Sequence, residues 1–125
     1  MRTLVRAVRG AITAAKNNEQ EIIDATKYLL SEMIKQNNLT EDDLISIIFT
    51  VTPDLDQAFP ARAARECGFT QTPLMCSVEI PVPGSLPLCI RILIHCHTSL
   101  SKAEIRHLYL RDAVKLRPDL VKDVE

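Results

Sequence analysis

Four stretches of the chain carry the apolar patterns of β-strands, namely residues 3–12, 44–52, 74–84 and 88–98. Segment 44–52 is β-branched and apolar throughout, which predicts a central strand. In segment 88–98, Arg91 and every second residue after it lie on one face by alternation, and isoleucines occupy the other face. The segment is therefore typical of a buried strand, except that it contains one charge, Arg91.

The residues between the first two strands predict one long amphipathic helix. Asn18 is followed three residues later by Glu21, which is the side-chain pattern of a helix start. From Ile22 to Met33 the apolar residues recur with helical spacing, so one face of the helix packs against the sheet. A helix of about 18 residues is about 27 Å long. Short helical turns are also predicted after Thr40, after Pro60 and over residues 101–104, whereas residues 105–120 fit a strand and a helix equally.

These elements predict an α+β fold, a mixed β-sheet with one long amphipathic helix packed on it. One helix covers only one face of a sheet, and several of the strands are apolar on both faces. We therefore expect the other face to meet another subunit, which makes the protein an oligomer. The length of 125 residues predicts a single domain over residues 1–125, with a mobile charged tail at about residues 118–125.

Composition and charge exclude several classes of protein. Hydrophobic residues make up 46% of the chain and charged residues 25%, as in ordinary globular proteins. A formal net charge of −1 gives no general attraction to nucleic acid or to an acidic membrane. No apolar run reaches the length of a membrane span and no secretory signal is visible, so we expect a cytoplasmic protein. The four cysteines form no CxxC pair, and three of them lie in apolar runs, which suits small buried side chains kept reduced.

Arg91 needs an anion nearby, because a buried guanidinium without a partner is very costly. Glu79 is the second charge within an apolar strand, so an internal ion pair across neighbouring strands is one answer. The other answer is an anionic ligand, since one acid cannot neutralise the several arginines of this chain. Arg62 and Arg65, for example, project from the same side of a short helix. Guanidinium groups bind carboxylates through two parallel hydrogen bonds, which suits a small ligand with more than one carboxylate.

Other kinds of site have little support in the sequence. His95, Cys96 and His97 lie close together with Cys89 nearby, but the paired spacings of a closed zinc site are missing. No GxSxG motif occurs, and no segment has the glycines of a phosphate-binding loop. We therefore predict no metal site, no cofactor and no catalytic nucleophile, and the residues by themselves indicate no particular reaction.

Several motifs, taken in their order and spacing, are similar to those of a known family. They are VRGA at 8–11, TPDLDQAFPARAARE at 52–66, CSVE at 76–79, LCIR at 88–91, and IRHLYL with LRPDL within 105–120. On these motifs the chain resembles the monofunctional, trimeric chorismate mutases of the pseudo-α/β-barrel class, along nearly its whole length.

The resemblance implies a reaction, the Claisen rearrangement of chorismate to prephenate on the route to phenylalanine and tyrosine. This pericyclic step needs no cofactor, no metal, no covalent intermediate and no proton transfer. In the family each active site lies between neighbouring subunits of a trimer. The implied partners are therefore chorismate and two further copies of the chain, with neither nucleic acid nor a membrane.

The resemblance also implies roles for individual residues. Arg91 lies beside the ether oxygen of chorismate and stabilises the negative charge that develops there as the C–O bond breaks. Glu79 resembles the acid that binds the ring hydroxyl, and Arg9 and Tyr109 match residues that bind carboxylates. Arg91, Glu79 and Arg9 are thus predicted to be catalytic. The predicted substrate-binding residues are Arg9, Phe59, Ala61, Arg62, Arg65, Leu74, Met75, Cys76, Ser77, Val78, Glu79, Arg91, Tyr109, Leu116 and Arg117.

The third strand presents a difficulty for this assignment. Strict alternation places Cys76 and Glu79 on opposite faces, so both reach one ligand only if the strand is bulged or one contributes its backbone. Two other functions also use the same arginines. One is a non-catalytic trimer that binds a small dicarboxylate, which should tolerate lysine at Arg91 far better than a catalyst. The other is a trimeric imine or enamine hydrolase, which needs an activated water.

Overall fold

Residues 3–116, which a computed structural model describes, form a five-stranded mixed β-sheet with a long helix on one face. The strands are β1 (Leu4–Thr13), β2 (Leu44–Val51), β3 (Leu74–Val78), β4 (Cys89–Thr98) and β5 (Leu108–Leu110). The helices are α1 (Glu19–Gln36) and α2 (Ala61–Glu66), and 3₁₀ turns span Glu41–Asp43, Lys102–Glu104 and Arg111–Leu116. The predicted α+β class is confirmed. No helix within residues 3–116 has both the length and the apolar composition needed to cross a membrane.

Most predicted elements are present, with two differences at the end of β3 and after residue 105. The third strand ends at Val78 instead of continuing to Gly84, because Pro81 and Pro83 cannot donate hydrogen bonds to a neighbouring strand. The ambiguous stretch 105–120 begins with the short strand β5 and the last 3₁₀ turn. Its final residues and the tail predicted to be mobile lie outside the described residues.

The strand order is β3-β2-β4-β1-β5, which places β4 at the centre of the sheet. β4 runs antiparallel to β1 and β2, and the edge strands β3 and β5 run parallel to their neighbours. Arg91 in β4 pairs with Ala11 on one side and with Thr50 on the other. Tyr109 pairs with Ala11 from β5. Because paired residues direct their side chains to the same face, Arg91, Thr50 and Tyr109 share one face of the sheet.

Helix α1 covers the other face of the sheet. It begins after Asn18 as predicted, with the Asn18 Oδ1 accepting a hydrogen bond from the N–H of Glu21 at 2.8 Å. A Cβ atom at Gly10 would lie 2.5 Å from the Sδ of Met33, so glycine lets strand and helix approach this closely. Each fully buried aliphatic or aromatic side chain stabilises the fold by roughly 1.5–3 kcal/mol. The largest are Phe49, Ile12, Ile22, Ile23, Leu29, Leu30, Met33, Ile47, Ile90, Ile92, Ile94 and Val8.

The face of the sheet opposite α1, which we call the open face, is covered only in part within residues 3–116: the last 3₁₀ turn packs at one end of it, where Ala11, Cys89 and Ala113 are buried together. On β4, Ile90 and Ile92 are buried against the core, whereas Arg91 and Leu93 alternate with them on the open face. The Arg91 side chain is 50% exposed. The expectation that Arg91 is buried is therefore wrong for a single chain, because alternation directs it away from α1.

The last 3₁₀ turn is bonded to the segment that precedes α1. The Arg111 Nη1 donates to the carbonyl oxygen of Thr13 at 3.0 Å and to the Glu21 Oε1 at 3.1 Å. The N–H of Asp112 donates to the Thr13 Oγ1 at 3.2 Å. These bonds hold the turn, and with it Leu116, beside β1.

Glu21 should stabilise this junction in a pH-dependent way. The N–H of Ala15, and to a smaller extent Arg111, lower the pKa of Glu21 below its ordinary value of 4.5. The folded chain thus favours the carboxylate, so Glu21 contributes stability above pH 4.5 that is lost as the pH falls through its folded pKa. We expect Glu21→Gln to lower the Tm at pH 7 and to lower it by less at about pH 3.

Thermal unfolding followed by circular dichroism at both pH values checks this prediction. Asp42→Asn is a suitable control, since Asp42 is exposed and makes no side-chain hydrogen bond or ion pair within the described residues. An equal loss of Tm at both pH values in Glu21→Gln would show that the charge of Glu21 does not contribute.

Candidate active site

One cavity on the open face contains four of the side chains predicted from the sequence, namely Arg9, Glu79, Arg91 and Tyr109. Its volume is about 250 Å³. The strand pairing explains this arrangement, because Arg91 and Tyr109 flank Ala11 and Arg9 precedes Ala11 by two residues on the same face. All three residues predicted to be catalytic thus lie in one cavity of one chain.

Glu79 and Arg91 form an ion pair in this cavity, with the Arg91 Nε 3.4 Å from the Glu79 Oε2. Thr50 lies between their strands, where it pairs with Arg91 on β4 and with Ser77 on β3. Its hydroxyl donates a hydrogen bond to the same Oε2. The N–H of Glu79 donates to the carbonyl oxygen of Val51 at 2.8 Å, which extends the pairing of β2 and β3 past the end of β3. The Arg91–Glu79 ion pair considered from the sequence is present. It does not join neighbouring strands, because β2 lies between β4, which contains Arg91, and β3, which Glu79 follows.

The ion pair leaves an excess of positive charge in the cavity. One carboxylate, that of Glu79, faces the guanidinium groups of Arg91 and Arg9, and Arg9 has no salt bridge within residues 3–116. Arg91 contacts Glu79 through Nε alone, and a guanidinium has further N–H donors on its other two nitrogens. The cavity is therefore suited to a ligand that carries negative charge.

A second cavity, of about 510 Å³, adjoins the first and shares Glu79 and Arg91 with it. Leu116 and Lys115 of the last 3₁₀ turn line its far side, as do residues of the loop between β3 and β4. Leu116 was predicted to line the pocket. Lys115 was missed, and its position next to Leu116 was the signal that could have indicated it. Arg117, predicted to bind substrate, lies outside the described residues.

Cys89 lines the second cavity, but it is poorly suited to act as a nucleophile. It is 2% exposed, and burial raises the pKa of its thiol more than the neighbouring Arg91 lowers it. Burial raises the pKa of Cys96 in the same way. The prediction of buried thiols holds for these two cysteines, whereas Cys76 is half-buried and Cys67 is exposed. Within residues 3–116 no group of three or more His, Cys, Asp or Glu is placed to hold a metal ion.

Six of the remaining predicted residues line a cavity beside β3 and α2. This separate cavity, of about 450 Å³, is lined by Phe59, Arg62, Arg65, Cys76, Ser77 and Val78. The three predicted pocket residues that line none of these cavities occupy other positions. Ala61 is buried in the core, Leu74 packs against the core, and Met75 is 62% exposed.

Arg62 is held in place by two acids. Its Nη1 lies 2.7 Å from the Glu19 Oε2 and its Nε lies 2.8 Å from the Glu66 Oε2, which also pairs its other oxygen with Lys27. These bonds to Glu19 and then to Glu66 raise the pKa of Arg62. Arg65, by contrast, has no salt bridge within the described part of the chain. Arg65 is therefore the more available of the two arginines for an anionic ligand.

The two groups of predicted residues do not meet within one chain. The cavity of Phe59 and Arg65 has no lining residue in common with the cavities of Arg91. β3 pairs with β2 in one continuous register from Leu74 to Val78, so the bulge that we considered for this strand is absent. Cys76 consequently lines one cavity and Glu79 the others.

Comparisons with known proteins indicate one family. A sequence model described as chorismate mutase type I matches residues 5–120. The chain is 48% identical over 118 residues to chorismate mutase AroH of Thermus thermophilus, a match that covers 94% of this chain and 97% of that protein. It is 40% identical over 118 residues to chorismate mutase AroH of Bacillus subtilis (strain 168), covering 94% and 93%. A solved structure of a chorismate mutase from Clostridium thermocellum is similar with a TM-score of 0.86 and 56% identity, over 86% of this chain and 96% of that one.

Proposed function

The chain belongs to the chorismate mutase type I family, and we propose that the cavity around Arg91 is the centre of its active site. The protein is an isomerase that converts chorismate to prephenate in the biosynthesis of aromatic amino acids. The reaction breaks one C–O bond and forms one C–C bond within the same molecule. The observation that carries the proposed site is the pair of guanidinium groups, Arg9 and Arg91, that faces the carboxylate of Glu79 in one cavity.

Arg91 stabilises the transition state of this reaction. The ether oxygen of chorismate gains negative charge as its C–O bond breaks, and the N–H donors of Arg91 that do not contact Glu79 bind that oxygen. A fixed cation that binds the transition state more strongly than the ground state raises kcat. Glu79 and Thr50 orient the guanidinium before the substrate enters, so little reorganisation is needed during the reaction.

Glu79 binds the ring hydroxyl of chorismate. Its Oε2 is occupied by Thr50 and Arg91, whereas its Oε1 makes no hydrogen bond within the described residues and accepts the bond from the hydroxyl. Arg9 and Tyr109, on the other side of Arg91, bind a carboxylate. Contacts at three places hold the flexible ether in a compact, chair-like conformation, which supplies the entropic part of the acceleration.

A complete site combines two copies of the chain in a homotrimer. The resemblance implies that one set of residues contacts a single substrate molecule. In one chain these residues fall into two groups, which line separate cavities. We therefore assign Arg9, Glu79, Arg91 and Tyr109 to one copy, and Phe59 and Arg65 to its neighbour. Exposed apolar side chains around β3 support this assembly, because patches of this kind mark interfaces. They are Phe59, Met75, Val78, Ile80 and Val82.

We expect kcat to change little between about pH 6 and pH 8, because no step of the rearrangement transfers a proton. The loss of chorismate absorbance in the ultraviolet, measured at saturating substrate across this range, checks the prediction. The product is identified as prephenate by its acid-catalysed conversion, because an isomer of chorismate has the same mass as chorismate. A steep bell-shaped profile would contradict the proposal and favour an acid–base reaction. Tight binding without loss of chorismate would favour a non-catalytic binder.

We further propose that the enzyme acts in the cytoplasm. Free thiols such as that of Cys67, which is exposed, stay reduced in that compartment.

A further inference from the structure

A fourth cavity opens at the other end of β1 and has the character of an anion site. Its volume is about 380 Å³. The side chains of Arg6, His95, Lys102 and His107 line it together with apolar residues, and no acidic residue is among those that line it. Two of these groups, Arg6 and Lys102, are charged at neutral pH.

The two permanent charges of this cavity are held at its wall without an acidic partner. The guanidinium of Arg6 is bonded to backbone carbonyls only, through Nε to Leu100 at 3.2 Å and through Nη1 to Val5 at 3.1 Å. Lys102 is exposed and forms no salt bridge within residues 3–116. The nearby Glu104 is engaged in its own turn, where its Oε1 accepts the N–H of Ser101 at 2.8 Å.

Backbone donors of β1 add to these charges. β5 pairs with β1 only from Gly10 to Ile12, so the earlier part of β1 has no described strand on that side. The N–H of Arg9 points to this side, where it donates to the His107 Nδ1 at 3.0 Å. By alternation the N–H groups of Val5 and Ala7, which line the cavity, point the same way. Oxyanions are bound in proteins by this combination of cationic side chains and backbone N–H groups.

We propose that this cavity binds a small oxyanion, either phosphate or a short carboxylate. The cavity lies beside the part of β1 that β5 leaves unpaired, and the cationic groups of Arg6 and Lys102 that line it favour a negative charge between them. None of the residues lining the cavity supplies that charge. The site is distinct from the chorismate site, although the bond between His107 and the backbone of Arg9 makes the two adjacent.

Titration of inorganic phosphate into the full chain, by isothermal calorimetry at constant ionic strength, tests the proposal. We expect Lys102→Ala to bind phosphate roughly tenfold or more weakly than the unaltered chain, the scale for loss of one charged hydrogen bond. Lys102 is exposed on a short turn, so the variant should fold and should retain its kcat. Lys35→Ala is the matched control, because Lys35 is exposed at the end of α1 and lines none of the cavities described above; its phosphate affinity should be unchanged.

Arg91→Ala separates this cavity from the chorismate site. If phosphate occupies the new site, Arg91→Ala binds it as the unaltered chain does. Loss of binding in Arg91→Ala together with normal binding in Lys102→Ala would place phosphate in the chorismate site and overturn the proposal. Absence of phosphate binding to the unaltered protein would also overturn it.

Discussion

Arg91→Ala should lower kcat by at least roughly 10²–10³-fold, the effect of removing one donor that stabilises a developing oxyanion. The variant loses the cation that the structure places in the cavity with Arg9 and Tyr109, and it leaves the Glu79 carboxylate without its partner. Chorismate still meets Arg9 and Tyr109, so KM should change less than kcat. This split follows because the charge on the ether oxygen exists in the transition state and not in the bound substrate.

The experiment compares initial rates of chorismate loss for the unaltered protein and three variants, Arg91→Ala, Arg106→Ala and Arg91→Lys. Arg106→Ala is the matched control, since Arg106 is exposed and its hydrogen bonds to Asn37 use only its backbone. Arg91→Lys keeps a cation but lacks the planar guanidinium, and we expect it to remain strongly impaired. An Arg91→Ala variant that retains most of its kcat would remove Arg91 from the mechanism. Normal substrate binding in Arg91→Lys, with no turnover by the unaltered protein, would favour the dicarboxylate binder.

Mixing two inactive variants should restore activity if each site combines two copies. Arg91→Ala damages the half of the site on the open face, and Arg65→Ala damages the half next to α2. In a mixed cyclic trimer, one of the three interfaces joins the intact open-face half of an Arg65→Ala subunit to the intact α2 half of an Arg91→Ala subunit. Random reassembly of equal amounts should therefore give about a quarter of the sites of the unaltered enzyme.

The variants are unfolded together in denaturant, refolded as a mixture and assayed, with the trimer verified by sedimentation. A mixture of Arg91→Ala and Arg9→Ala is the control, because both substitutions affect the same half and no interface can be complete. Recovery in the first mixture and not in the second supports a shared site. Equal inactivity of both mixtures, with mixed trimers demonstrated, would show that one chain contains the whole site.

Part of the site could be predicted from single strands, because a charge in an apolar strand is visible in the sequence itself. Arg91 and Glu79 were found in this way, and the structure brings them into one ion pair. Arg9 and Tyr109 came from resemblance to a family, since nothing about their local sequence indicates that they flank a common residue, Ala11. Thr50 was missed altogether, because its importance depends on strand pairing.

The positions of Arg62 and Cys76 show a second limit of sequence reasoning. Both were predicted to contact substrate with Arg91, yet Arg62 pairs with Glu19 and Glu66, and Cys76 lines a different cavity from Glu79. Glu19 is 43 residues from Arg62 in the chain. A pairing at that distance in the chain depends on how α1 and α2 pack against each other. The spacing of residues along either helix does not predict that packing.

The sequence alone determined the features that depend on periodicity over a few residues. These are the strand positions, the long helix after Asn18, and the alternation that separates Arg91 from the isoleucines beside it. Only the tertiary structure decided that Arg91 is half-exposed, that Thr50 joins it to Glu79, and that the predicted site is divided between two cavities. Local periodicity states which residues share a face, whereas strand order and helix placement decide which face is covered and which residues of distant segments meet.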